Sequence, residues 1–305
     1  MTESDPQHNT RESDEQAVAG FRALQLGFIR LDAIEERAHS LHVQQGSSLA
    51  GDRDASSYNP IPDQVQGLLA TATDHLRAVQ VAVEDSGGKI LAMSMFTLLR
   101  SAYEAAGTGM WLLQPRSRDD RILLSMQLTW DNRRQVRSVG TALGRHPDSD
   151  VGFNRMDARL AEIRETRDGL RGSTVTRVVK VTDRLISIAP LAPDLVFPPL
   201  VLWQMASGIA HGNSSMMQNL LELQQVSPYT NGSASFALTT SVGHLVVFYE
   251  AALQLVGRLI DQYESRNVSP VLNGRRARQA PAWLIPSTVQ ACSSTPPLPR
   301  TVSVA

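Results

Sequence analysis

Four side chains in this sequence have the types and spacing of a chemical site: Arg100 with Glu104, and Ser207 with His211. Each pair sits at i, i+4, which puts both members on one face of a helix. A histidine beside a carboxylate can act as a general base, because the carboxylate raises its basicity and fixes its tautomer. Ser207 next to His211 also invites a hydrolase reading. A regular helix, however, offers no oxyanion hole and no exposed nucleophile turn such as G-x-S-x-G supplies. A metal site built from Glu104, His211 and either His244 or Glu250 is chemically allowed. The sequence has no H-E-x-x-H or E-x-x-H pair to support one, so neither metal nor cofactor is expected. The plainest account of the four residues is an interior polar network that fixes helix register.

The elements that must position them are two apolar stretches. Ile90 to Leu113 carries two ionisable charges, Arg100 and Glu104, and such a helix belongs in a core or a membrane. A charge pair at its midpoint makes the membrane expensive. Leu195 to Leu221 reads as a second apolar helix with His211 as its ionisable group. Both stretches carry small residues beside the polar ones: Gly107 and Gly109 in the first, Ala206, Gly208, Ala210 and Gly212 in the second. Interior helical glycine costs roughly 1 kcal/mol relative to alanine, so close helix contact must compensate. The economical inference is that the two helices cross, bringing Arg100 and Glu104 against Ser207 and His211 with all four largely buried.

Around these, helical periods dominate. Phe21, Leu24, Phe28, Leu31, Ile34, Ala38 and Leu41 form one stripe, and Val65, Leu69, Ala72, Leu76, Val79 and Val83 form another. Residues 46–59 read as a loop by composition, with Pro60 and Pro62 opening the next element. Ser117 has the look of an N-cap, followed by Asp119 and Asp120 in the first turn. The helix it starts should run to about Leu143, with Ile122, Met126, Val136 and Leu143 inward and Arg121, Arg133, Arg134 and Arg137 on a solvated face. Met156, Leu160, Ile163 and Leu170 suggest another helix. Over 174–188 the β-branched run VTRVVKV favours strand and the spacing of Val178, Val181, Leu185 and Ile188 favours helix; helix is expected. NLLELQQV and ASFALTT around Asn231-Gly232 read as a β-hairpin. A last apolar helix spans Thr239 to about Tyr263.

Net charge is −1 and the basic residues are nearly all arginine, so nothing global pushes the chain toward nucleic acid or an anionic membrane. One cysteine, Cys292, excludes an internal disulfide and a cysteine-based zinc site. The N-terminal segment is acidic and polar, without the regions of a secretory signal. These features make a cytoplasmic location the expectation.

Arg100, Glu104, Trp111, Leu112, Leu113, Pro115 and Arg121, with Trp203, Ser207, Gly208, Ala210, His211 and Gly212 downstream, form a spaced pattern. It resembles a family of uncharacterised all-helical proteins common in actinobacteria, with R-x-x-x-E, W-L-L-x-P and a downstream R, then W-x-x-x-S-G-x-A-H-G. The likeness covers roughly Ile90 to Arg258 and implies a helical fold and site positions, with no activity attached. More remotely, Arg37 to His42 resembles the R-x(4–6)-H signature of HEPN-type helical ribonucleases, although Ala38 stands where a polar residue is typical.

The expected architecture is all-α: a single multi-helix bundle over residues 16–265 with one small β-hairpin. Residues 1–15 are expected to be a disordered acidic lead-in and 266–305 a disordered basic tail. The leading functional expectation is a non-enzymatic cytoplasmic protein acting through a partner, a ligand or self-association, with no membrane partner. The alternative is a helical nuclease or hydrolase of toxin or phage-defence type using Glu104 and His211. Arg275, Arg276 and Arg278 in the tail could add at most weak nucleic-acid affinity.

Overall fold

The computed structural model describes residues 12–146, 150–230 and 233–269. Among them the chain forms ten α-helices and one two-stranded sheet: α1 (Asp14–Ser40), α2 (Ser48–Ala55), α3 (Ile61–Asp85), α4 (Ala92–Leu113), α5 (Arg118–Ala142), α6 (Val151–Thr166), α7 (Val181–Ile188), α8 (Pro199–Ala210), α9 (Ser214–Leu220), β1 (Glu222–Gln225), β2 (Phe236–Thr239) and α10 (Val242–Arg266). The all-α bundle with its one hairpin is therefore observed. Residues 1–11 of the expected lead-in, 270–305 of the expected tail and the Asn231-Gly232 turn lie outside the described residues, while residues 12–15 belong to α1 and its cap and Arg266 ends α10.

Helix α4 is the axis. Residues Ala105 to Leu113 are buried without interruption, because α3, α8, α10 and α7 all pack on it. Burial on every side is what its lack of a polar face demands. The α3 seam from Val65 to Val83 is buried at each expected position, and α1 lays Leu24, Phe28 and Leu31 into the same core. Edge-on ring pairs, Phe28 with Tyr249 and Phe96 with Phe248, tie α10 to α1 and α4. Helix α10 is long and apolar enough to cross a membrane, yet 56% of its most apolar window is buried inside the bundle. That is the signature of a core helix.

Caps follow the local sequence. Ser13, Ser47, Ser117, Asn213 and Ser241 each accept a backbone N–H in the first turn of their helix. Glu12 adds a second cap to α10: its carboxylate accepts from the N–H groups of Val242 and Gly243 at 2.8 and 2.9 Å. The strands pair antiparallel, Glu222 opposite Thr239 and Gln225 opposite Phe236.

Several expectations are corrected. Residues 46–59 contain α2, started by Ser47 and held by a buried Leu49 and Asp52; eight residues rich in Ser, Gly and Asp masked it. Arg121 is not on a solvated face but 2% exposed, while Val136 and Leu143 point outward. The segment 174–188 is helical only from Val181. The second apolar stretch is two helices, because Gly212 adopts φ 69° and turns the chain after His211.

Candidate functional site

Helices α4 and α8 do pack against each other, but in a different register from the one expected. The residue of α8 that meets the charged pair is Trp203. Its indole Nε1 donates to Glu104 Oε2 at 3.4 Å, and the Arg100 guanidinium lies 5.3 Å from the centre of its ring. His211 is two helical turns further along, roughly 12 Å of axial rise, at the C-terminal cap of α8, where it is exposed. No hydrogen bond or ion pair joins Arg100 or Glu104 to Ser207 or His211. Arg100 and Glu104 approach each other at only 3.9 Å, with side chains 26% and 38% exposed. The inferred four-residue cluster, buried as a unit, is therefore not formed.

The glycines explain the slip. A Cβ on Gly107 would strike Leu185 of α7, and one on Gly109 would sit 2.7 Å from Leu259 of α10. On Gly208 it would meet Met216 of α9 at 2.7 Å. Each small residue makes room for a neighbour, but none of these three serves the α4–α8 crossing. The remaining metal candidates are also engaged elsewhere: His244 Nδ1 lies 3.0 Å from the Leu220 carbonyl oxygen, and Glu250 pairs with Arg30.

The pair opens instead on a cleft of about 740 Å³ between α3, α4, α5 and α7. Arg100, Ser101, Glu104 and Thr108 line it from α4, Gln64, Thr71 and His75 from α3, Asn132 from α5 and Arg184 from α7. Arg184 is the residue that sequence reasoning missed. It is 8% exposed, and no carboxylate among the described residues lies within ion-pairing distance of it. Nη1 donates to Thr108 Oγ1 at a long 3.3 Å, and the guanidinium sits 5.2 Å from the Trp111 ring centre. Nε is buried with no hydrogen-bond partner. Burial pushes the pKa of this guanidinium down, offset only in part by the more distant charges of Asp131 and Glu104.

The same cleft holds two more unpartnered buried atoms, Arg100 Nε and Gln64 Oε1, out of five such atoms among the described residues. The Gln64 amide nitrogen is used, donating to the Asn59 carbonyl at 2.7 Å and Ser125 Oγ at 2.6 Å. Another cavity, beside Glu12, Glu222 and His244, has its carboxylates already committed to backbone N–H groups.

A second charged cluster has the opposite character. Arg121 Nε and Nη2 donate to the two oxygens of Asp52, both at 2.7 Å. Nη1 donates to the carbonyls of Pro115 and Arg116, and Nη2 also reaches Ser48 Oγ. All its donors are used. Arg118, lying over Gly51, adds a second cation to Asp52, and Arg266 donates to the carbonyls of Leu113 and Pro115. This buried arginine–aspartate clamp fastens α2 and the end of α4 to the start of α5. Arg121 was visible in the sequence pattern, but Asp52 was hidden in the apparent loop.

The Arg37–His42 pair has a surface setting. Arg37 pairs with Asp261 and Glu264 at 2.8 Å, and His42 Nδ1 lies 3.1 Å from the Ser40 carbonyl oxygen. No protein-family model, curated protein or solved structure matches this chain.

Proposed function

We propose that this protein is a non-enzymatic, cytoplasmic helical module that binds a small polar ligand in the cleft between α3, α4, α5 and α7. One observation carries the reading: Arg184 is buried at the cleft with no carboxylate within ion-pairing distance among the described residues. An arginine taken out of water needs compensation, and one long hydrogen bond and one ring contact supply little of it. In small-molecule sites, polar groups placed on rigid elements and converging on a concave pocket fix the ligand's orientation, and this cleft is richer in them than most. The resemblance to the actinobacterial family agrees with the helical fold and adds no activity.

Trp203 and Trp111 touch Arg100 and Arg184, so their indole N–H resonances report on the cleft. A charge-diverse set of small polar molecules, screened at millimolar concentration, should contain members that move both signals. Thr71→Trp, placed at the exposed rim, should block them. If no member moves either indole, or if the shifts persist in the blocked variant, the binding reading fails.

The rival reading, a nuclease or hydrolase, keeps one supporting feature: Glu104 shares the cleft with a histidine, His75 rather than His211. RNA or DNA cleavage by the wild type that disappears in a folded Glu104→Gln variant would replace binding with catalysis.

A further inference from the structure

The charges around the cleft go further and indicate what kind of ligand it takes, an inference that rests on the binding reading above. Arg100 comes from α4 and Arg184 from α7, and the one carboxylate facing them is Glu104. The polar contributions of α3 and the loop before it are the amides of Gln64 and Asn59, the Thr71 hydroxyl and His75, and α5 contributes Asn132. Asp131 is near enough to act on Arg184 through space, but its oxygens are held by Arg134 and Gln135. Apart from His75, the lining holds one positive charge more than it holds negative ones.

Glu104 does not neutralise either arginine well. Its contact with Arg100 is long, and its other partner is the Trp203 indole. The guanidinium fork is matched to a planar oxyanion, which it binds through two parallel hydrogen bonds. We infer that the cleft receives a small molecule bearing a single carboxylate, which takes Arg184 and Arg100 as its counter-charges while neutral polar groups of the ligand face Gln64 and Asn132. A doubly charged phosphate overcompensates the lining and is disfavoured by Glu104.

The experiment compares N-acetylglycine, its neutral analogue N-acetylglycinamide, and inorganic phosphate, followed through the Trp111 and Trp203 indole signals of the full chain. The carboxylate should bind at least tenfold more tightly than the amide and more tightly than phosphate. Its affinity should fall at least tenfold in Arg184→Gln and severalfold in Arg100→Gln. Glu104→Gln removes the negative charge and should tighten carboxylate binding severalfold. That variant keeps the test decisive if an arginine variant fails to fold. Equal binding of carboxylate and amide, preference for phosphate, or weaker carboxylate binding in Glu104→Gln would each overturn the inference. Blocking by Thr71→Trp separates the two levels. If the amide binds as well as the carboxylate and Thr71→Trp blocks both, the ligand reading survives and the carboxylate inference alone is lost; if no compound binds the cleft, both are lost.

Discussion

Arg121 and Arg184 are both more than nine-tenths buried in the same bundle, and they are opposites. Around Arg121 every donor has an acceptor, and the acceptors include a fully buried carboxylate and two backbone carbonyls of the turn between α4 and α5. Around Arg184 there is an aromatic face, one hydroxyl at long range and an open cleft. A saturated buried charge is a fastener. An unsaturated one is either a flaw in the core or half of an interaction whose other half arrives from outside. The cleft, and two further unpartnered atoms lining it, favour the second.

Breaking the fastener should give the largest effect. Arg121→Met strands Asp52 in the interior with only the partly exposed Arg118 beside it. Removing one member of a buried ion pair costs about 3–5 kcal/mol. For a domain of this size that lowers the melting temperature by roughly 2–4 °C per kcal/mol. Urea unfolding of Arg121→Met should show this loss, and Arg121→Met with Asp52→Leu should regain part of it. A single variant within about 0.5 kcal/mol of wild type, the range of ordinary surface changes, would remove the distinction between the two arginines.

The same substitution at Arg184 should have the opposite sign. Arg184→Met removes a poorly compensated cation and keeps most of the packing against Trp111. Replacing buried charge by apolar volume is often neutral or stabilising, by as much as about 1–4 kcal/mol. Unliganded Arg184→Met should therefore unfold at the same or a higher urea concentration than wild type. A loss comparable to that of Arg121→Met would mean that Arg184 is a fastener too.

This contrast also explains what the sequence disclosed and what it hid. Periodicity found the buried stripes of α1 and α3, and uniform apolarity marked α4, but in α5 the same reading turned Val136 and Leu143 inward and Arg121 outward, the reverse of what is observed. The hairpin followed from alternation. The site was half legible: Arg100 and Glu104 stand out because an apolar helix makes two charges conspicuous. Their partners were obscured because contact across helices depends on register, and small residues can face any neighbour. Gly107, Gly109 and Gly208 mark three separate contacts with α7, α10 and α9. Arg184 lies in a segment of ambiguous period, and Asp52 in a helix of two turns with loop-like composition. Neither residue stands out until the chain is folded.

A middle-sized effect tests how the cleft's floor is held. The Cβ of Gly107→Ala would press on the end of the Leu185 side chain, next to Arg184. Overpacking costs typically about 1–3 kcal/mol, and the gain in helix propensity returns about 1 kcal/mol. A net loss near 1 kcal/mol is expected, together with weaker carboxylate binding, while the Arg121 clamp on the far side of α4's C-terminus is unaffected. Leu185→Ala should couple favourably with Gly107→Ala in a double-mutant cycle. Strict additivity would show that the glycine is not there to admit α7.

The smallest effect belongs to a partly exposed charge, the control against which both buried ones are judged. Asp150 caps α6: its Oδ1 accepts from the Phe153 N–H and from Arg133 Nη2, both at 2.9 Å. The backbone hydrogen bond first, and then the Arg133 charge, hold its pKa below the ordinary carboxylate value. A carboxylate whose pKa is depressed by folding binds fewer protons folded than unfolded across that interval. Its contribution is therefore fully present above the ordinary aspartate pKa and lost as pH falls through the depressed one. Asp150→Asn keeps an N-cap of similar quality and removes the titration. In urea unfolding from neutral to acid pH, the stability of wild type relative to Asp150→Asn should decline below the ordinary carboxylate range. At neutral pH the difference should be slight and should shrink further with added salt. The Arg121 effect should survive the same salt, because its ion pair is almost wholly shielded from solvent. If salt erased both differences alike, the clamp would be behaving as a surface pair despite its burial, and the ranking of the three charges by environment would collapse.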